Sequence, residues 1–228
     1  MNKLNVIYED NHIIVVEKQP NIPSQADKTE DLDMLTIIKN YLKEKYNKPG
    51  NVYLGLVHRL DRPVGGVMVF AKTSKAASRL SDQVREKIFK KKYLAVVDGK
   101  FETTQGTLED YLYKDERNNM SKVVNKDKKN AKLAKLDYEV LAYNEVKNLS
   151  LLRVNLYTGR HHQIRVQLSH AGHSIFGDQK YGTRGQGKQI ALWAYELTIQ
   201  HPITKEEMTF KCLPESNGTW CILRDIEV

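Results

Sequence analysis

Residues 57–66 place one carboxylate among basic side chains, just before an apolar run of strand length. The charged or chargeable members of this segment are His58, Arg59, Asp61 and Arg62. Positive charges within several ångströms favour an ionised carboxyl group, so Asp61 is a candidate nucleophile or electrostatic catalyst. Pro63 and Gly65 occupy the second and fourth positions of a predicted type I turn, which would begin just after Asp61. A surface Arg–Asp pair without a catalytic role would give the same pattern.

A second group of basic and amide side chains lies in residues 158–167. It contains Arg160, His161, His162, Gln163, Arg165 and Gln167. Apolar residues at helical spacing predict a helix over 160–171, with Gly172 as its C-terminal stop. The core stripe of this helix would consist of Ile164, Leu168 and Ala171. His161 and Arg165 would then lie one turn apart at the edge of the core, where a guanidinium could hold a carboxylate through two hydrogen bonds. An arginine with a purely structural partner is an equal alternative.

Four histidines that lie close together in the sequence raise the question of a metal site. They are His161, His162, His170 and His173. No acidic ligand is interleaved, and the spacing matches neither His-Glu-x-x-His nor a zinc finger. The only cysteines, Cys212 and Cys221, are far along the chain and form no disulfide framework by themselves. The sequence therefore predicts no metal site.

The chain is basic, with 36 Lys and Arg residues against 28 Asp and Glu residues and a formal net charge of +8. The charge is concentrated in residues 85–92 and 126–135, each with five basic residues and one acidic residue. The first stretch includes Lys90, Lys91 and Lys92 and continues directly into Tyr93. Such a balance is typical of proteins that bind a polyanion such as nucleic acid, with an affinity that depends on salt. Solvated charged faces are the ordinary alternative.

Residues 182–189 are rich in glycine and resemble a phosphate-binding loop. However, Lys188 is followed by Gln189 rather than by the Ser or Thr that ligates magnesium, and a strand pattern follows instead of a helix. We expect a surface loop that could contact a phosphate backbone.

Length and composition exclude several classes of protein. With roughly 100–200 residues per domain, 228 residues suffice for one large domain or two small ones, and we expect a single domain over 1–228. No apolar run approaches the roughly 18 residues that a membrane-spanning helix needs, and the first residues do not form a signal segment. We therefore expect a cytoplasmic protein without membrane association.

The hydrophobic pattern predicts many strands and few helices. Strands are predicted at 4–8, 12–17, 67–71, 93–97, 107–113, 132–142, 149–156, 190–199 and 207–212. Helices are predicted through Leu35, Ile38 and Leu42, from a cap at Ser74 through Ile88, and over 160–171. Residues 19–33 are predicted to be a loop. Runs of strands without strict alternation with helices indicate an α+β fold with a mixed, mostly antiparallel sheet and flanking helices.

A series of motifs in chain order resembles the RluA-type RNA pseudouridine synthases. The motifs are Tyr8-Glu9-Asp10-Asn11-His12, His58-Arg59-Leu60-Asp61 with Gly65-Gly66, Val69-Phe70-Ala71-Lys72, Tyr93 in Lys-Lys-Tyr-Leu-Ala, Gly159-Arg160-His161-His162-Gln163-Ile164-Arg165 and Gly177-Asp178. The series extends over nearly the whole chain. It is therefore far more specific than any one of its motifs.

The resemblance implies isomerisation of uridine to pseudouridine within RNA, without a cofactor or a metal ion. Asp61 would be the catalytic aspartate, acting as nucleophile or as a charged participant when the glycosidic bond breaks. Arg165 would pair with Asp61, and Tyr93 would stack on the target base. Arg59 would enter the space that the flipped uridine leaves. Extruding a stacked base costs a few kcal/mol, so these contacts would offset a real barrier.

The same resemblance implies an RNA-binding cleft across the sheet and a ribosomal or transfer RNA as partner. The expected RNA contacts are His58, Arg59, Arg62, Arg160, His161, Gln163, Lys90, Lys91 and Lys92. Only 57 residues precede His58, and the first of them already match the catalytic fold, so we expect no N-terminal S4 domain of the kind that many relatives carry. As a separate expectation, the protein is a monomer. A non-catalytic RNA-binding protein on the same scaffold is the main alternative, and the histidine spacing disfavours a metal-dependent hydrolase.

Overall fold

The computed structural model describes residues 4–182, 187 and 189–223. These residues form three α-helices, eleven β-strands and one 3-10 helix at Gly218–Leu223. The helices are α1 (Met34–Lys45), α2 (Ser74–Arg85) and α3 (Gln163–His170). The strands are β1 (Val6–Glu9), β2 (Ile13–Lys18), β3 (Gly55–Leu56), β4 (Gly65–Ala71), β5 (Lys90–Asp98), β6 (Gln105–Asp115), β7 (Met120–Val124), β8 (Lys132–Asn144), β9 (Leu149–Leu156), β10 (Leu192–Gln200) and β11 (Glu207–Lys211).

The described chain divides into two compact units. The first unit contains the residues up to Lys90 together with Ala194–Leu213. The second unit contains Lys91–Trp193 and the described residues from Pro214 onward.

The sheet of the first unit is built around β4, which is buried along its whole length. The strand order is β1-β2-β4-β10-β11, and β3 also pairs with β4. The predicted opening hairpin is confirmed, because β1 and β2 pair antiparallel around the turn at Asp10. β2 then pairs antiparallel with β4, which sets Ile14 opposite Phe70. Burial on both faces explains why the sequence of β4 is a continuous apolar run and does not alternate between apolar and polar residues.

Two amphipathic helices belong to the first unit. α1 buries Met34, Ile38 and Leu42, and its N-cap is Asp33, whose carboxylate accepts hydrogen bonds from two backbone amides of the first turn. α2 is capped by Thr73 rather than by Ser74, because the Thr73 hydroxyl accepts the Ala76 amide at 3.2 Å. α2 also ends at Arg85, three residues before the predicted Ile88.

The second unit contains an antiparallel sheet with the strand order β5-β9-β8-β6-β7. The strand β9 has the predicted bounds. The strand β7 is not predicted by the sequence, because it is short and follows β6 through a polar four-residue connection without glycine or proline. Val166 of α3 packs with Leu112 of β6 and Ala134 of β8 in a small core cluster.

The α+β fold with mostly antiparallel pairing is confirmed. Antiparallel pairing is observed for β1–β2, β2–β4, β5–β9, β6–β7, β6–β8 and β8–β9. Over the described ranges, no helix has both the length and the apolar character needed to cross a bilayer.

Candidate functional site

Asp61 is the first residue of the turn that leads into β4. Its carbonyl oxygen accepts the Val64 amide at 3.0 Å, so the turn consists of residues 61–64. The predicted turn, which began one residue later, is therefore wrong in register. Pro63 is the third residue of the observed turn and not the second. The backbone amide of Asn21 donates to the Arg62 carbonyl at 2.8 Å, which ties this turn to the loop that follows β2.

The residues just before Asp61 are anchored by side-chain hydrogen bonds. The buried Ser24 hydroxyl donates to the Leu60 carbonyl at 2.8 Å and accepts the Leu60 amide at 3.2 Å. His58 accepts the Val69 amide through Nε2 at 3.1 Å, and its ring lies edge-on against Phe89. The accepting nitrogen carries no proton, so His58 fixes the chain against β4 instead of presenting Nε2–H to a ligand.

Beneath the turn lies a buried lysine, Lys18, which the sequence does not mark as a site residue. Lys18 has no solvent exposure, and its Nζ donates to the carbonyls of Val64 at 2.6 Å, Arg62 at 2.9 Å and Gln19 at 3.2 Å. Burial lowers the pKa of Lys18 to about 7, with the Asp61 charge opposing this shift and the Arg62 charge adding to it. The one signal in the sequence is strand alternation, which puts Lys18 on the same side of β2 as Val16 and Ile14.

The two arginines that flank Asp61 in the sequence have different surroundings. Arg62 pairs with Asp31 and, at 3.6 Å, with Asp27, and it donates to the Thr29 hydroxyl at 2.8 Å. Arg59 is exposed. The basic environment that the sequence assigns to Asp61 therefore includes a buried cation from β2, while Arg62 is shared with acidic residues of the 27–31 loop.

Gly66 fixes the path of the chain immediately after the turn. Its φ of +125° lies in a region that other residues rarely adopt, and a Cβ there would lie 2.1 Å from the Ala194 carbonyl oxygen. Only glycine therefore allows β4 to leave the Asp61 turn at this angle.

The second unit carries the other charged motif at the start of α3. The helix begins at Gln163, because His162 has a left-handed backbone with φ of 54°. The buried Gln163 carboxamide accepts the Thr158 hydroxyl at 2.7 Å and the Arg160 amide at 3.1 Å, and it donates to the Lys135 carbonyl at 3.1 Å.

Three details of the predicted 160–171 helix are corrected by this start. Arg160 and His161 precede the helix, so His161 is not one helical turn from Arg165. Ala171 is the exposed C-cap and not part of the core. Ile164, Leu168 and the stop at Gly172, which has a positive φ, are as predicted.

Arg165 is buried and forms a bidentate ion pair within the second unit. Its Nε and Nη2 donate to the two carboxylate oxygens of Asp178 at 2.8 and 2.7 Å. Burial raises the pKa of Asp178, but the hydrogen bonds and charge of Arg165 and the amides of Lys180 and Tyr181 outweigh it and hold the pKa below its ordinary value. The Tyr181 ring also lies 5.3 Å from the guanidinium carbon. In the sequence, Asp178 stands out only through the Gly177-Asp178 motif, and this motif does not reveal that Arg165 is its partner.

The two histidines before α3 are stacked and tied to β7. Their ring centroids are 3.7 Å apart. The Ser121 hydroxyl lies 3.0 Å from His161 Nδ1, and the Tyr181 hydroxyl lies 2.9 Å from His162 Nδ1 and accepts the Ser121 amide. In the part of the chain that the structure describes, no group of three or more His, Cys, Asp or Glu side chains could hold a metal ion.

The remaining predicted site residues have varied surroundings. Tyr93 is buried in β5 opposite Val154 of β9. Burial lowers the pKa of Lys91, and Lys90 forms an exposed ion pair with Glu207 at 2.8 Å. Lys92 is half-buried opposite Asn155, and Arg160 donates from Nε to the Leu133 carbonyl at 2.9 Å. The predicted 182–189 loop lies outside the described residues except for Gly182, Gly187 and Gln189.

The predicted site residues thus fall into two groups. The first unit holds His58, Arg59, Asp61, Arg62 and Lys90, and the second unit holds Lys91, Lys92, Tyr93, Arg160, His161, Gln163 and Arg165. The predicted pairing of Asp61 with Arg165 stays a prediction.

Comparison with known proteins gives consistent matches. The family model described as RNA pseudouridylate synthase matches residues 12–170. The uncharacterized RNA pseudouridine synthase YhcT of Bacillus subtilis (strain 168) is 33% identical over 208 residues, which cover 90% of this chain and 66% of YhcT. The dual-specificity RNA pseudouridine synthase RluA of Escherichia coli O157:H7 is 33% identical over 214 residues, which cover 91% of this chain and 92% of RluA.

A solved structure supports the fold independently. The human RNA pseudouridylate synthase domain containing 4 aligns with a TM-score of 0.76 at 22% identity, over 92% of this chain and 89% of the human chain. The share of YhcT that is matched is about two thirds of its length.

Proposed function

Because this chain belongs to the RNA pseudouridylate synthase family, we propose that it isomerises uridine to pseudouridine in RNA. The observation that carries the proposal is the match of the family model to residues 12–170, a range that contains Asp61, Tyr93 and Arg165. In this reaction the bond from the base to C1′ of ribose breaks at N1 and re-forms at C5; the proton on C5 is then lost and N1 takes up a proton, so the product is an isomer of the substrate.

Asp61 is the proposed catalytic residue, as nucleophile or as the charge that stabilises the detached intermediate. The reaction requires an ionised carboxylate in a fixed position. A charge that is already in place stabilises the transition state more than the bound substrate, and only such a difference raises the rate. The turn over residues 61–64 supports this role, since the Asp61 carbonyl is bonded to Val64 and the chain before it is held by Ser24 and His58. We assign His58 a positioning role on the same grounds.

Tyr93 and Arg165 are the proposed partners from the second unit. Tyr93 would stack on the target base, and Arg165 would pair with Asp61. The Asp178 carboxylate supports this assignment, because it binds two nitrogens of the guanidinium and fixes the plane in which the rest of the group lies. Gln163 orders the segment before α3 through three hydrogen bonds, so we assign it a positioning role as well.

RNA is the proposed partner, as ribosomal or transfer RNA in the cytoplasm. Arg59, Arg62, Arg160, His161 and Lys90 to Lys92 would contact the RNA, with Arg59 filling the space left by the extruded uridine. The exposed lysines of residues 126–135 would add phosphate contacts. We propose that the protein acts as a monomer without cofactor or metal ion.

The experiment compares the protein with its Asp61→Asn variant on ribosomal and transfer RNA that lacks the modification. Pseudouridines are mapped by carbodiimide adduct formation and primer extension, and RNA affinity is measured by filter binding. We expect site-specific pseudouridine with the wild type, none with Asp61→Asn, and RNA affinities within about threefold, because the substitution leaves the shape of the side chain unchanged. RNA binding without pseudouridine in either protein would favour a non-catalytic RNA-binding function.

A further inference from the structure

An exposed patch of aromatic and basic side chains lies at the end of β4 that is remote from the Asp61 turn. This Tyr46 patch consists of Lys45, Tyr46, Lys48, Tyr53 and Lys72. The Tyr46 and Tyr53 side chains are 47% and 49% exposed. Tyr53 belongs to the same end of β4, because it lies two residues before Gly55, which pairs with Ala71. The roles proposed above for the reaction include none of the patch residues.

The Tyr46 ring has three ammonium groups around it. The Nζ atoms of Lys72, Lys45 and Lys48 lie 5.0, 5.5 and 5.8 Å from the centre of the ring, within the range of cation–π attraction. The Tyr46 hydroxyl donates to a Glu9 carboxylate oxygen at 2.8 Å, which holds the ring in place. The ring is therefore an anchored aromatic surface in positively charged surroundings.

The neighbouring carboxylate, Glu9, cancels only part of the positive charge of the patch. Its oxygens bind Lys45 at 2.7 Å and Lys72 at 2.6 Å. Lys48 supplies a third ammonium group, and three ammonium groups against one carboxylate leave a charge of +2. Residues 39–48 are basic as well, with four lysines and one glutamate. A surface of this charge attracts phosphate groups.

We propose that the Tyr46 patch binds a single-stranded segment of the substrate RNA, at a distance from the uridine that reaches Asp61. Lys45 and Lys48 would contact phosphates, and a base would stack on the Tyr46 ring. This inference rests on the proposed function and adds to it a second contact surface for RNA.

The chemistry of the patch favours RNA over an acidic peptide. Aromatic rings among cationic side chains bind single-stranded nucleic acid of any sequence, since every base has a face that stacks and the cations follow the phosphates. The cation–π contacts of the exposed Lys45 and Lys48 are weak, so phosphates can draw both ammonium groups off the ring and a base can replace them. A run of acidic residues would offer carboxylates to the lysines but no planar base to Tyr46.

The position of the patch sets the length of RNA that reaches it. The Asp61 turn precedes β4 and Lys72 follows it, and this strand spans about 20 Å at about 3.3 Å per residue. At about 3.4 Å per stacked nucleotide, this distance corresponds to about six nucleotides. RNA that ends about three nucleotides from the target uridine should therefore not use the patch, whereas RNA with a longer single-stranded extension should.

The first test measures RNA affinity by fluorescence anisotropy for the wild type, Tyr46→Leu, Tyr46→Phe and Lys48→Ala. The probe is a labelled oligoadenylate of about 12 nucleotides, which contains no uridine, so its binding does not depend on catalysis. We expect Tyr46→Leu to bind about tenfold more weakly because one stacked base is lost, and Tyr46→Phe to stay within about twofold because the ring remains. Lys48→Ala should bind about threefold more weakly, with a salt slope smaller by about 0.7.

Tyr143→Leu is the matched control. The Tyr143 ring also has an ammonium group over it, that of Lys100 at 5.4 Å, and its hydroxyl donates to the Asn148 side chain at 2.8 Å. It lies in the second unit and outside the patch. We expect the wild-type affinity for oligoadenylate in this variant. Ultraviolet cross-linking of the wild type should place the oligoadenylate on the peptide that contains Tyr46.

The second test links the patch to turnover. On a substrate RNA with a single-stranded extension of about ten nucleotides, Tyr46→Leu should raise the RNA concentration for half-maximal pseudouridine formation about tenfold. On RNA that ends about three nucleotides from the uridine, the same variant should match the wild type. The rate at saturating RNA should be unchanged in both cases, because the substitution leaves the Asp61 turn intact.

The outcomes separate this inference from the proposed function. A folded Tyr46→Leu variant with the wild-type affinity for oligoadenylate overturns the patch as an RNA surface and leaves the enzyme assignment intact. Equal weakening by Tyr46→Leu and Tyr143→Leu also overturns it. Oligoglutamate of the same length that binds as tightly as oligoadenylate overturns RNA as the occupant and favours an acidic protein.

Two further outcomes keep the test decisive. A wild type that forms no pseudouridine overturns the enzyme assignment, whereas the oligoadenylate measurements still test the patch. If Tyr46→Leu does not fold, Lys48→Ala decides, because it leaves the hydrogen bonds of Glu9 intact. The wild-type affinity and salt slope in Lys48→Ala would then overturn the inference.

Discussion

Arg165 and Asp178 form a bidentate ion pair whose side chains are only 5% and 0% exposed, with nitrogen–oxygen distances of 2.8 and 2.7 Å. A pair so deeply buried depends on both members, because either one alone would be an uncompensated charge in a low-dielectric region. Asp178 also accepts the amides of Lys180 and Tyr181, so its carboxylate organises the chain after α3 as well as the guanidinium.

Asp178→Asn is therefore expected to lower the free energy of unfolding by about 3–5 kcal/mol, the usual cost of breaking a buried pair by removing one partner. The amide nitrogen would also face the donors of Arg165. Urea unfolding measures the change, and pseudouridine formation at saturating RNA should fall because the guanidinium loses its fixed orientation.

The exposed ion pair between Lys90 and Glu207 provides the control for this substitution. Its side chains are 61% and 60% exposed, so Glu207→Gln should change stability far less than Asp178→Asn. Equal changes in the two variants would contradict the assigned importance of the buried pair.

The sequence predicts the helices and strands of this fold well and its irregular segments poorly. The strand β9 has the predicted bounds because its apolar residues and its polar flanking turn are local signals. The start of α3 was not predictable, since it depends on the hydrogen bonds of Gln163 to Thr158 and to Lys135, which are distant in the sequence or lie outside the helix.

The candidate site shows the same division. The resemblance makes Asp61 and Arg165 candidates because their motifs are continuous in the sequence. Lys18 and the partner of Arg165 emerge only from the fold, because a lysine at the end of a strand and an aspartate after a glycine are ordinary in any soluble protein. Burial and pairing are tertiary properties, and they decide what these two side chains do.

A second prediction concerns Glu9, which links β1 to α1 and to the end of β4. Its side chain is 6% exposed, and its two oxygens bind Lys45 at 2.7 Å and Lys72 at 2.6 Å, with the Tyr46 hydroxyl at 2.8 Å. Burial alone would raise the pKa of Glu9, but the hydrogen bonds from Lys45, Lys72 and Tyr46 lower it from 4.5 to about 2.

The sign of the pH dependence follows from this shift. The folded pKa lies below the unfolded one, so the contribution of Glu9 is fully present above about pH 5 and is lost as the pH falls from 4.5 through about 2. We expect the wild type to exceed Glu9→Gln in unfolding free energy by about 2–3 kcal/mol at pH 6, with screening at the exposed Lys45 taken into account. Urea unfolding at pH 6 and pH 3 should show a smaller difference at the lower pH, and a constant difference would contradict the assignment.

The last prediction concerns the exposed lysines in the loop between β7 and β8. Lys128 and Lys129 lie in the basic 126–135 stretch, and Lys128 is 5.5 Å from the centre of the Tyr113 ring. If each of these lysines neutralises one phosphate, each releases condensed counterions when RNA binds. Each such contact adds about 0.7 to the magnitude of the slope of log affinity against log salt for single-stranded RNA. The Lys128→Ala/Lys129→Ala protein should therefore bind RNA more weakly, with a slope smaller by about 1.4. Filter binding from about 50 to about 300 mM salt, roughly a sixfold range of salt concentration, measures the slope. Lys100→Ala/Lys147→Ala is the matched control, because both of these lysines are exposed and lie outside the two basic stretches.

The turnover rate at saturating RNA should remain that of the wild type in both double variants, because neither pair is part of the Asp61 turn. Equal slopes for the two double variants would show that the charge of the 126–135 stretch is a solvated face and not an RNA contact.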